Sequence, residues 1–406
     1  MEDSKLKSKF TKSFSKLKTY CENENFKGWD PYDGINSKIF QALPLKHWDL
    51  ARLAWIQGFK RSPINLRRLL LVPKQHNAKG VGLFLLAYCR LYKLAENGDE
   101  TFGTKVQHLK KIKELTELLL EMRSKGFSGA CWGYNFDWQA RRLFLFKKNT
   151  PTVVATCFCV EALIESYEIT KDKKVLDVAL SAADFVTEDL SRTQHGKGIM
   201  FSYSVKDGNN TVINASLLGA KILSFSYKYT KNDSHADLAK QAVIAACELQ
   251  EMDGSWIYGL LDIQSWKDSF HTGFNLDAIE TYQQNTRDRS FQKYIDKGMK
   301  FYIENFFEPN GMPKYYHDKT FPIDIHCPAQ VITTASKLDV FQPNKELLTK
   351  VLNWTVENMQ HKKGYFYYQY RKGISSKISY MRWSNAFMFN AFAHYFLEQQ
   401  AIKNDI

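Results

Sequence analysis

Gln250-Glu-Met-Asp-Gly-Ser-Trp-Ile-Tyr258 is the most informative segment of this 406-residue sequence. It places a glycine ahead of alternating aromatic residues and leads into a long apolar segment. The same arrangement recurs along the chain, and regular recurrence is the sequence signature of a repeat architecture. Other copies begin at Gly198, Gly311 and Gly364, with an earlier copy at Gly133 and a degenerate one at Gly28-Trp-Asp-Pro-Tyr-Asp-Gly34, and a Gln stands four residues before three of the glycines (Gln194, Gln250 and Gln360).

Two helical segments fill the interval after most copies of this element. The first is apolar on all sides, which indicates a buried helix, and the second is apolar on one face only, which indicates a surface helix. A further surface helix would come from residues 3–22 or 46–59. The apolar segments are 78–97, 151–170, 211–230, 270–286, 323–338 and 380–399, and the two-faced segments are 103–124, 173–191, 234–251, 289–306 and 345–360.

This alternation predicts an all-α fold, an (α/α)6 toroid in which an outer ring of helices encloses an inner ring. Short aromatic β-hairpins would lie at one rim. An open solenoid is the alternative arrangement, but its end repeats would leave apolar helices uncovered. We expect one structural unit, in which residues 76–406 form the toroid and residues 1–75 contribute an outer helix and a candidate lid.

The composition excludes a disordered or fibrous protein, because apolar residues make up 44% of the chain and charged residues 24%. The net charge of +13 is unevenly placed: residues 1–150 hold 28 Lys and Arg against 14 Asp and Glu, and the rest hold 28 against 29. A one-sided basic field predicts an anionic partner: a polyanionic glycan, a phosphate-bearing lipid or sugar, an anionic membrane surface or a nucleic acid. A solubilising surface is the simpler alternative. We expect no nucleic-acid partner, because no recognised reading module is present, and we predict no specific protein partner.

The cysteines predict a reduced, cytoplasmic protein. There are seven of them, an odd number, and most lie in helical segments rather than in a disulfide framework. No C-x-x-C pair occurs, so we expect no metal site, and no cofactor is predicted. The basic start has no apolar stretch like that of a signal peptide. No segment reaches the ~18 apolar residues that a membrane-spanning helix needs.

Gln250-Glu-Met-Asp-Gly-Ser-Trp256 matches the Q-x-x-D-G-x-W element of α/α-toroid proteins. The sequence resembles this superfamily over about residues 75–400. Its members include six-hairpin glycosidases, (α/α)-barrel polysaccharide lyases, the helical domain of uronyl C5-epimerases, terpenoid cyclases and prenyltransferases. The resemblance implies a substrate cavity where the aromatic loops enter the inner helices. The chain has no D-x-D-D or D-D-x-x-D string, which disfavours terpenoid cyclisation and prenyl transfer.

Polar and aromatic residues cluster in the loops that lead into the inner helices. Histidine transfers protons near neutral pH, Trp and Tyr offer flat faces to sugars, and Arg binds carboxylates through paired hydrogen bonds. Each candidate also has a structural alternative, such as a helix cap for Asp268 or a core position for Trp132. The predicted catalytic residues are His271, Tyr316, His317, Asp137 and Asp268, and the predicted substrate-binding residues are Trp29, Asp33, His76, Trp132, Tyr134, Trp138, Arg142, Trp256, Asn275, Asp324, His326, Arg382 and Trp383.

These residues fit two classes of function. The first is a carbohydrate-active enzyme of cell-surface polysaccharide metabolism, acting on an anionic, uronate-containing glycan or its precursor. Proton abstraction, as in a lyase or an epimerase, needs a base such as His271 and a cation such as Arg382 beside the uronate. Hydrolysis instead needs two carboxylates that flank the scissile bond. The second class is a non-catalytic toroid that binds a glycan or a lipid-linked sugar.

Overall fold

The computed structural model describes residues 2–140, 145–206 and 209–404, and these form the predicted double ring of helices. Each inner helix packs against the next, and the last packs against the first. The ring is therefore closed, and the open-solenoid alternative is wrong. The inner helices are α4 (Ala78–Glu96), α6 (Val153–Thr170), α8 (Ile213–Thr230), α10 (Ser269–Thr286), α12 (His326–Lys337) and α14 (Phe387–Asn404).

The outer ring covers the inner ring from outside. Five outer helices in the described ranges each follow an inner helix and pack on it: α5 (Lys105–Glu121), α7 (Lys173–Asp184), α9 (Asp233–Glu248), α11 (Gln292–Phe306) and α13 (Lys345–Met359). The remaining outer position belongs to α1 (Glu2–Asn23), which packs against α13 and α14. The short helix α3 (Asp49–Arg61) instead lies beside the first rim strand, and α2 (Lys38–Ala42) packs against the turns at residues 34–36 and 44–47 of the N-terminal segment.

Short strands and backbone bridges join the repeats at one rim. The antiparallel strand pairs are β1 (Trp138–Gln139) with β2 (Leu145–Phe146), β3 (Arg192–His195) with β4 (Gly198–Phe201), and β5 (Ile323–Asp324) with β6 (Gln369–Tyr370). A bridge between Asp268 and Tyr316 continues the series, and one between Trp29 and Tyr380 joins the N-terminal segment to the last repeat. This rim holds the first turns of the inner helices.

The repeat glycines let each aromatic element approach the next outer helix. Gly254 has a φ of +92°, and a side chain there would collide with the Lys297 carbonyl in α11. Gly364 has a φ of +103° and takes the same position against Lys16 in α1, which closes the outer ring. The Gln residues support this contact, because the Gln250 amide donates to the Gly254 and Tyr294 carbonyls at 3.0 and 2.9 Å.

Two inner helices begin later than the sequence predicts. In the segment predicted as helical from residue 323, Ile323 and Asp324 form β5, and the Asp324 carboxylate accepts the His326 amide at 3.1 Å. In the segment predicted from residue 380, residues Met381–Ala386 form a π-helical turn ahead of α14. Both changes place polar side chains at the rim instead of inside a regular helix.

A buried ion network links four inner helices deeper in the ring. Lys221 in α8 lies 3.0 Å from Glu161 in α6 and 2.9 Å from Asp277 in α10. Lys337 at the end of α12 pairs with the same two carboxylates. Two cations and two carboxylates thus balance one another, which is the condition under which buried charges are tolerated. Lys221 and Lys337 have no charge left over for a ligand.

The described part of the chain contains no helix that is both long enough and apolar enough to cross a membrane. Each cysteine lies within the described ranges, is buried and forms no disulfide. The same ranges contain no cluster of three or more His, Cys, Asp or Glu side chains that could hold a metal ion.

Candidate active site

A cavity of about 370 Å³ opens at the rim where the strands meet the first turns of the inner helices. This volume lies within the range of small-molecule sites. A narrower cleft of about 10 Å³ beside Trp29 and Asp33 is too small for a sugar ring. The inner helices contribute Lys79, Val154, Asn214, Phe270, His271 and His326 to the larger cavity.

Flat aromatic side chains form much of the cavity wall. Trp138 stacks on Phe146 across the β1–β2 pair, with ring centroids 4.4 Å apart and planes within 5°. Tyr258 stacks on Trp266 with centroids 4.7 Å apart and planes within 11°. Trp383 completes the wall beside His326, at 4.2 Å between ring centroids. Such faces suit the apolar C–H face of a sugar ring.

His271 and Asp268 form an oriented pair at the start of α10. Asp268 caps this helix by accepting the His271 amide at 3.0 Å, and its other oxygen lies 2.7 Å from His271 Nδ1. The same oxygen accepts the Trp266 indole N–H at 2.9 Å. A carboxylate on Nδ1 fixes the proton on that nitrogen, so Nε2 keeps a lone pair that can accept a proton. His271 borders the cavity, whereas the Asp268 side chain is fully buried behind it.

His326 is a second cavity histidine, and it is neutral at neutral pH. Burial lowers the pKa of His326 to about 4, against attraction from Asp324. Asp324 itself is fully buried and accepts hydrogen bonds from Trp383 Nε1 and Gln369 Nε2, both at 2.9 Å. His326 Nδ1 is 3.5 Å from this carboxylate without a well-aligned hydrogen bond. Asp324 therefore positions Trp383 and the start of α12 from behind the cavity.

Two basic residues border the cavity, and only one of them has an acidic partner among the described residues. Arg382 is bound to Asp30, with Nε to Oδ2 at 2.5 Å, and this acid raises the pKa of the guanidinium although burial opposes the charge. Lys79 is also buried, but it makes no hydrogen bond or ion pair with any described residue. Its Nζ lies 4.1 Å from the ring centroid of Phe158. Burial, and then the nearby Arg382, lowers the pKa of Lys79 well below its ordinary value.

Acidic side chains are missing from the part of the cavity wall that the structure describes. Its polar groups are instead basic, amide, hydroxyl or imidazole groups. Among them are the phenols of Tyr134 and Tyr258, whose pKa burial raises, so they stay protonated and can donate hydrogen bonds. A wall of this kind favours an anionic or neutral ligand over a cation.

Seven of the predicted site residues come together around this cavity: Tyr134, Trp138, His271, Tyr316, His326, Arg382 and Trp383. Asp268 and Asp324 lie directly behind two of them. The remaining candidates lie away from the cavity in the described structure or fall outside the described residues.

Two of the predicted tryptophans have structural positions. Trp132 and Trp256 are buried, and each indole N–H donates at 2.8 Å to a carbonyl near the end of an outer helix, Leu119 in α5 or Ala246 in α9. The tryptophan of the repeated element therefore fastens a rim strand or loop to its outer helix. Neither indole borders the cavity, because both point into the space between the two rings.

The other predicted residues have partners elsewhere. Asp137 binds Lys147 at 3.0 Å outside the cavity, and His317 sits near the exposed Asp318. Asn275 is buried within α10. Trp29 donates to the Val72 carbonyl, Asp33 binds Arg67, and His76 contacts the Asn25 carbonyl, while Arg142 lies outside the described residues.

Several cavity residues were missed in the sequence. Lys79, Trp266, Phe270, Tyr32 and Tyr203 border the cavity but were not among the predicted residues. Lys79 carried a signal, because a lysine in the first turn of an otherwise apolar inner helix must face something polar. Tyr32 lies in the N-terminal segment, whose position over the rim cannot be inferred from the repeat.

Comparisons with known structures agree with this architecture. The GH76 α-mannanase of Bacteroides thetaiotaomicron superposes with a TM-score of 0.61 and 13% identity, over 80% of this chain and 88% of that one. The cellobiose 2-epimerase of Bacillus thermoamylovorans gives 0.57 and 12%, over 81% and 90%. An unsaturated glucuronyl hydrolase specific for heparin gives 0.57 and 14%, over 81% and 87%. Neither the models of known protein families nor the curated proteins gave a match.

The closed double ring and these superpositions define the class. The chain has the α/α-toroid fold, as the Q-x-x-D-G-x-W element implied. Its solved neighbours include a hydrolase, an epimerase and a lyase. Identities near one residue in eight establish the fold and leave the reaction to the chemistry of the cavity.

Proposed function

We propose that this protein is a carbohydrate-active enzyme that transfers a proton at a carbon atom of an anionic, uronate-containing glycan or glycan precursor. The reaction would be an elimination or an epimerisation. His271 Nε2 is the proposed base, and Asp268 is the residue that positions it. Tyr316 and His326 border the same space and could serve as the acid or orient the sugar.

The observation that carries this proposal is the buried Asp268 behind His271. The carboxylate both caps α10 and fixes Nδ1, so the ring orientation is set twice by one residue. A preorganised imidazole that borders a cavity with aromatic faces matches the requirements of general base catalysis on a stacked sugar. The carboxylate also stabilises the imidazolium that forms when Nε2 takes the proton.

Glycoside hydrolysis is the less favoured reaction. Hydrolases of the common type place two carboxylates about 5 to 10 Å apart across the scissile bond. The described wall of this cavity carries no Asp or Glu, and Asp268 is used to hold His271. The predicted acids Asp33 and Asp137 are bound to Arg67 and Lys147 outside the cavity.

Deuterium exchange tests the proposal directly. Incubation with uronate oligosaccharides in D2O should place deuterium at C5 if the product is an epimer, and should produce unsaturated-uronate absorbance if it is an elimination product. Asn in place of His271 should abolish both signals. Asp268→Asn should lower kcat and leave KM nearly unchanged. It disturbs the orientation of the His271 base but leaves the contacts to the sugar intact. His195→Gln, on β3 away from the cavity, is the matched control.

A non-catalytic glycan-binding toroid is the alternative function. It predicts that wild-type protein binds uronate oligosaccharides without exchange or absorbance change, and that the His271 substitution changes affinity only. We also propose a cytoplasmic location, which the unpaired and buried cysteines support because such thiols are typical of a reducing compartment.

A further inference from the structure

Lys79 is a buried lysine for which the described residues provide no acid partner of its own. Its side chain lies among three phenyl rings, with Nζ 4.1 Å from the centroid of Phe158, 5.0 Å from Phe387 and 5.2 Å from Phe274. It is only 4% exposed, and the exposed part faces the cavity. Lysines are almost never buried to this extent without a carboxylate partner.

The neighbouring groups confirm that no acid is available to Lys79. Asp30 is an acid that attracts the Lys79 charge, but its carboxylate is bound to Arg382 at 2.5 Å. The adjacent helices contribute thiols and an imidazole rather than carboxylates. The titratable and charged groups that face Lys79 are Arg382, Asp30, Cys157, Cys159 and His326.

We propose that Lys79 Nζ binds the anionic group of the ligand, a sugar carboxylate or a sugar phosphate. The ligand anion would be the negatively charged partner that no described residue provides for Lys79. The phenyl rings exclude the water that would otherwise weaken this ion pair. This inference rests on the proposed function only in taking the cavity as the ligand site. It names the substrate class through a residue that takes no part in the proton transfer.

Binding of such an anion should be accompanied by uptake of a proton. Burial holds the pKa of the free Lys79 amine well below its ordinary value, and an adjacent anion would raise it again. Arg382 cannot give this signal because it is already paired with Asp30. His271 and His326 also border the cavity, so the Lys79→Met variant, which keeps both imidazoles, is what assigns the proton to Lys79.

Titration calorimetry of the full chain tests this proposal. D-glucuronate, D-glucose 6-phosphate and D-glucose are titrated at neutral pH in two buffers with different ionisation enthalpies. For one of the anions, the apparent enthalpy should depend on the buffer, and the two anions distinguish carboxylate from phosphate recognition. In Lys79→Met the apparent enthalpy should no longer depend on the buffer, and the affinity for the anion should fall about tenfold or more. The affinity for D-glucose should not change.

Three results would overturn the proposal: wild-type binding without buffer dependence, equal anion affinity in Lys79→Met, or no binding of either anion by the wild type. The buffer test uses wild-type protein, so it does not depend on the variant folding. The deuterium-exchange experiment has separate outcomes, so failure here is distinguishable from failure of the proposed function.

A second inference comes from the outer face of the N-terminal segment. Trp48, Leu50, Leu69 and Leu71 are 62, 72, 73 and 52% exposed. The Lys38 backbone N–H donates a hydrogen bond to the Leu71 carbonyl, which brings the start of α2 next to the end of the loop that follows α3. The N-terminal apolar face, as we term it, consists of Ile39, Leu43, Trp48, Leu50, Ile64, Leu69 and Leu71.

Positive charge surrounds this apolar face. Residues 38–74 contain eight Lys and Arg and a single acid, Asp49. Arg52 and Arg67 are buried in ion pairs with Asp49 and Asp33, which leaves six cations at or near the surface. The outward stripe of α3 carries Leu50, Ala54, Gly58 and Arg61, all of them exposed. Exposed apolar side chains with Lys and Arg nearby are typical of a surface that lies in the interface of an anionic membrane.

The geometry points to an anionic phospholipid surface as the occupant of the N-terminal apolar face. A second copy of the chain would bring the same positive charge against it, and a nucleic acid would not cover the exposed Trp48 and leucines. Gln57 and Lys60 of α3 border the cavity, so docking would bring the cavity mouth close to the membrane. This inference is independent of the reaction.

Vesicle co-sedimentation tests the docking surface. Wild-type protein should bind vesicles of equal parts phosphatidylcholine and phosphatidylglycerol but not phosphatidylcholine alone, and added salt should weaken the binding. The double variant Trp48→Ser with Leu50→Ser should lose about tenfold in affinity. Met252→Ser is the control, because Met252 is 98% exposed outside this face. Equal loss in the control, no binding to anionic vesicles, or dimerisation that depends on Trp48 and Leu50 would each refute the assignment.

Discussion

Two lysines buried in the same ring should respond in opposite directions to the same substitution. Lys79 and Lys221 are 4% and 1% exposed and lie on inner helices. Lys221 holds Glu161 and Asp277 at 3.0 and 2.9 Å, whereas the Lys79 amine lies among aromatic rings and forms no ion pair with a described residue. Methionine keeps most of the stem and removes the amine in both cases.

The expected changes in unfolding free energy depend on whether each lysine has a carboxylate partner. Lys221→Met leaves two buried carboxylates with one cation, and breaking such a network costs about 3 to 5 kcal/mol of unfolding free energy. Lys79→Met removes a buried amine that no acid satisfies, which costs the wild type about 1 to 3 kcal/mol. The aromatic rings offset part of this cost. We therefore expect Lys79→Met to be more stable than wild type by about 1 kcal/mol or more.

Urea unfolding followed by circular dichroism measures both variants. The stabilisation by Lys79→Met should also depend on pH. Burial lowers the pKa of Lys79 in the folded chain, so between that lowered pKa and the ordinary lysine pKa the unfolded chain binds more protons. The unfolding free energy of the wild type should then rise as the pH is raised towards the ordinary lysine pKa of 10.5. The difference in stability between Lys79→Met and the wild type should shrink over the same range. If Lys79→Met instead loses as much stability as Lys221→Met, then Lys79 has a structural partner and the reasoning is wrong.

Three further predictions concern the repeat, the aromatic wall and acid stability. Gly254→Ala should destabilise the protein by more than about 1 kcal/mol in urea unfolding, whereas Gly98→Ala, with a similar φ of +91° but open space around it, should cost less. Trp138→Ala should weaken oligosaccharide binding about fivefold in calorimetry, with Trp48→Ala unchanged, because it removes one stacking face. Burial lowers the pKa of both His108 and His326 to about 4, so the unfolded chain binds protons there that the folded chain does not. Stability should therefore fall between pH 6.5 and 4, by about 1.4 kcal/mol per pH unit for each histidine, and His108→Asn should flatten this slope.

The repeat made the fold readable in the sequence because its signals are local. Buried and two-faced helices differ in their own periodicity, and a glycine followed by aromatic residues recurs along the chain where a rim element meets an outer helix. The same locality limits the motif as a guide to chemistry. Gly254 and Trp256 serve the contact with α11 and α9, so the most recognisable residues of the family element lie outside the cavity.

The cavity could be predicted only in part, because its members come from every repeat and meet only when the ring closes. His271 and His317 looked alike in the sequence, yet one faces the cavity from a helix start and the other lies at the outer rim. Lys79 stood out as a lysine in an apolar segment, but what it faces is decided only when the ring closes around the cavity. For Asp268 the sequence offered a helix cap and a role in the site as alternatives. In the structure it caps α10 and also holds the His271 side chain.

The structure of the protein in complex with a uronate disaccharide would test the central claim most directly. The account predicts a sugar ring stacked on the Tyr258–Trp266 pair or on Trp138, its carboxylate beside Lys79 Nζ, and a ring C–H directed at His271 Nε2. A disaccharide bound away from the rim cavity, or one whose nearest reactive group to His271 is a glycosidic oxygen, would contradict it.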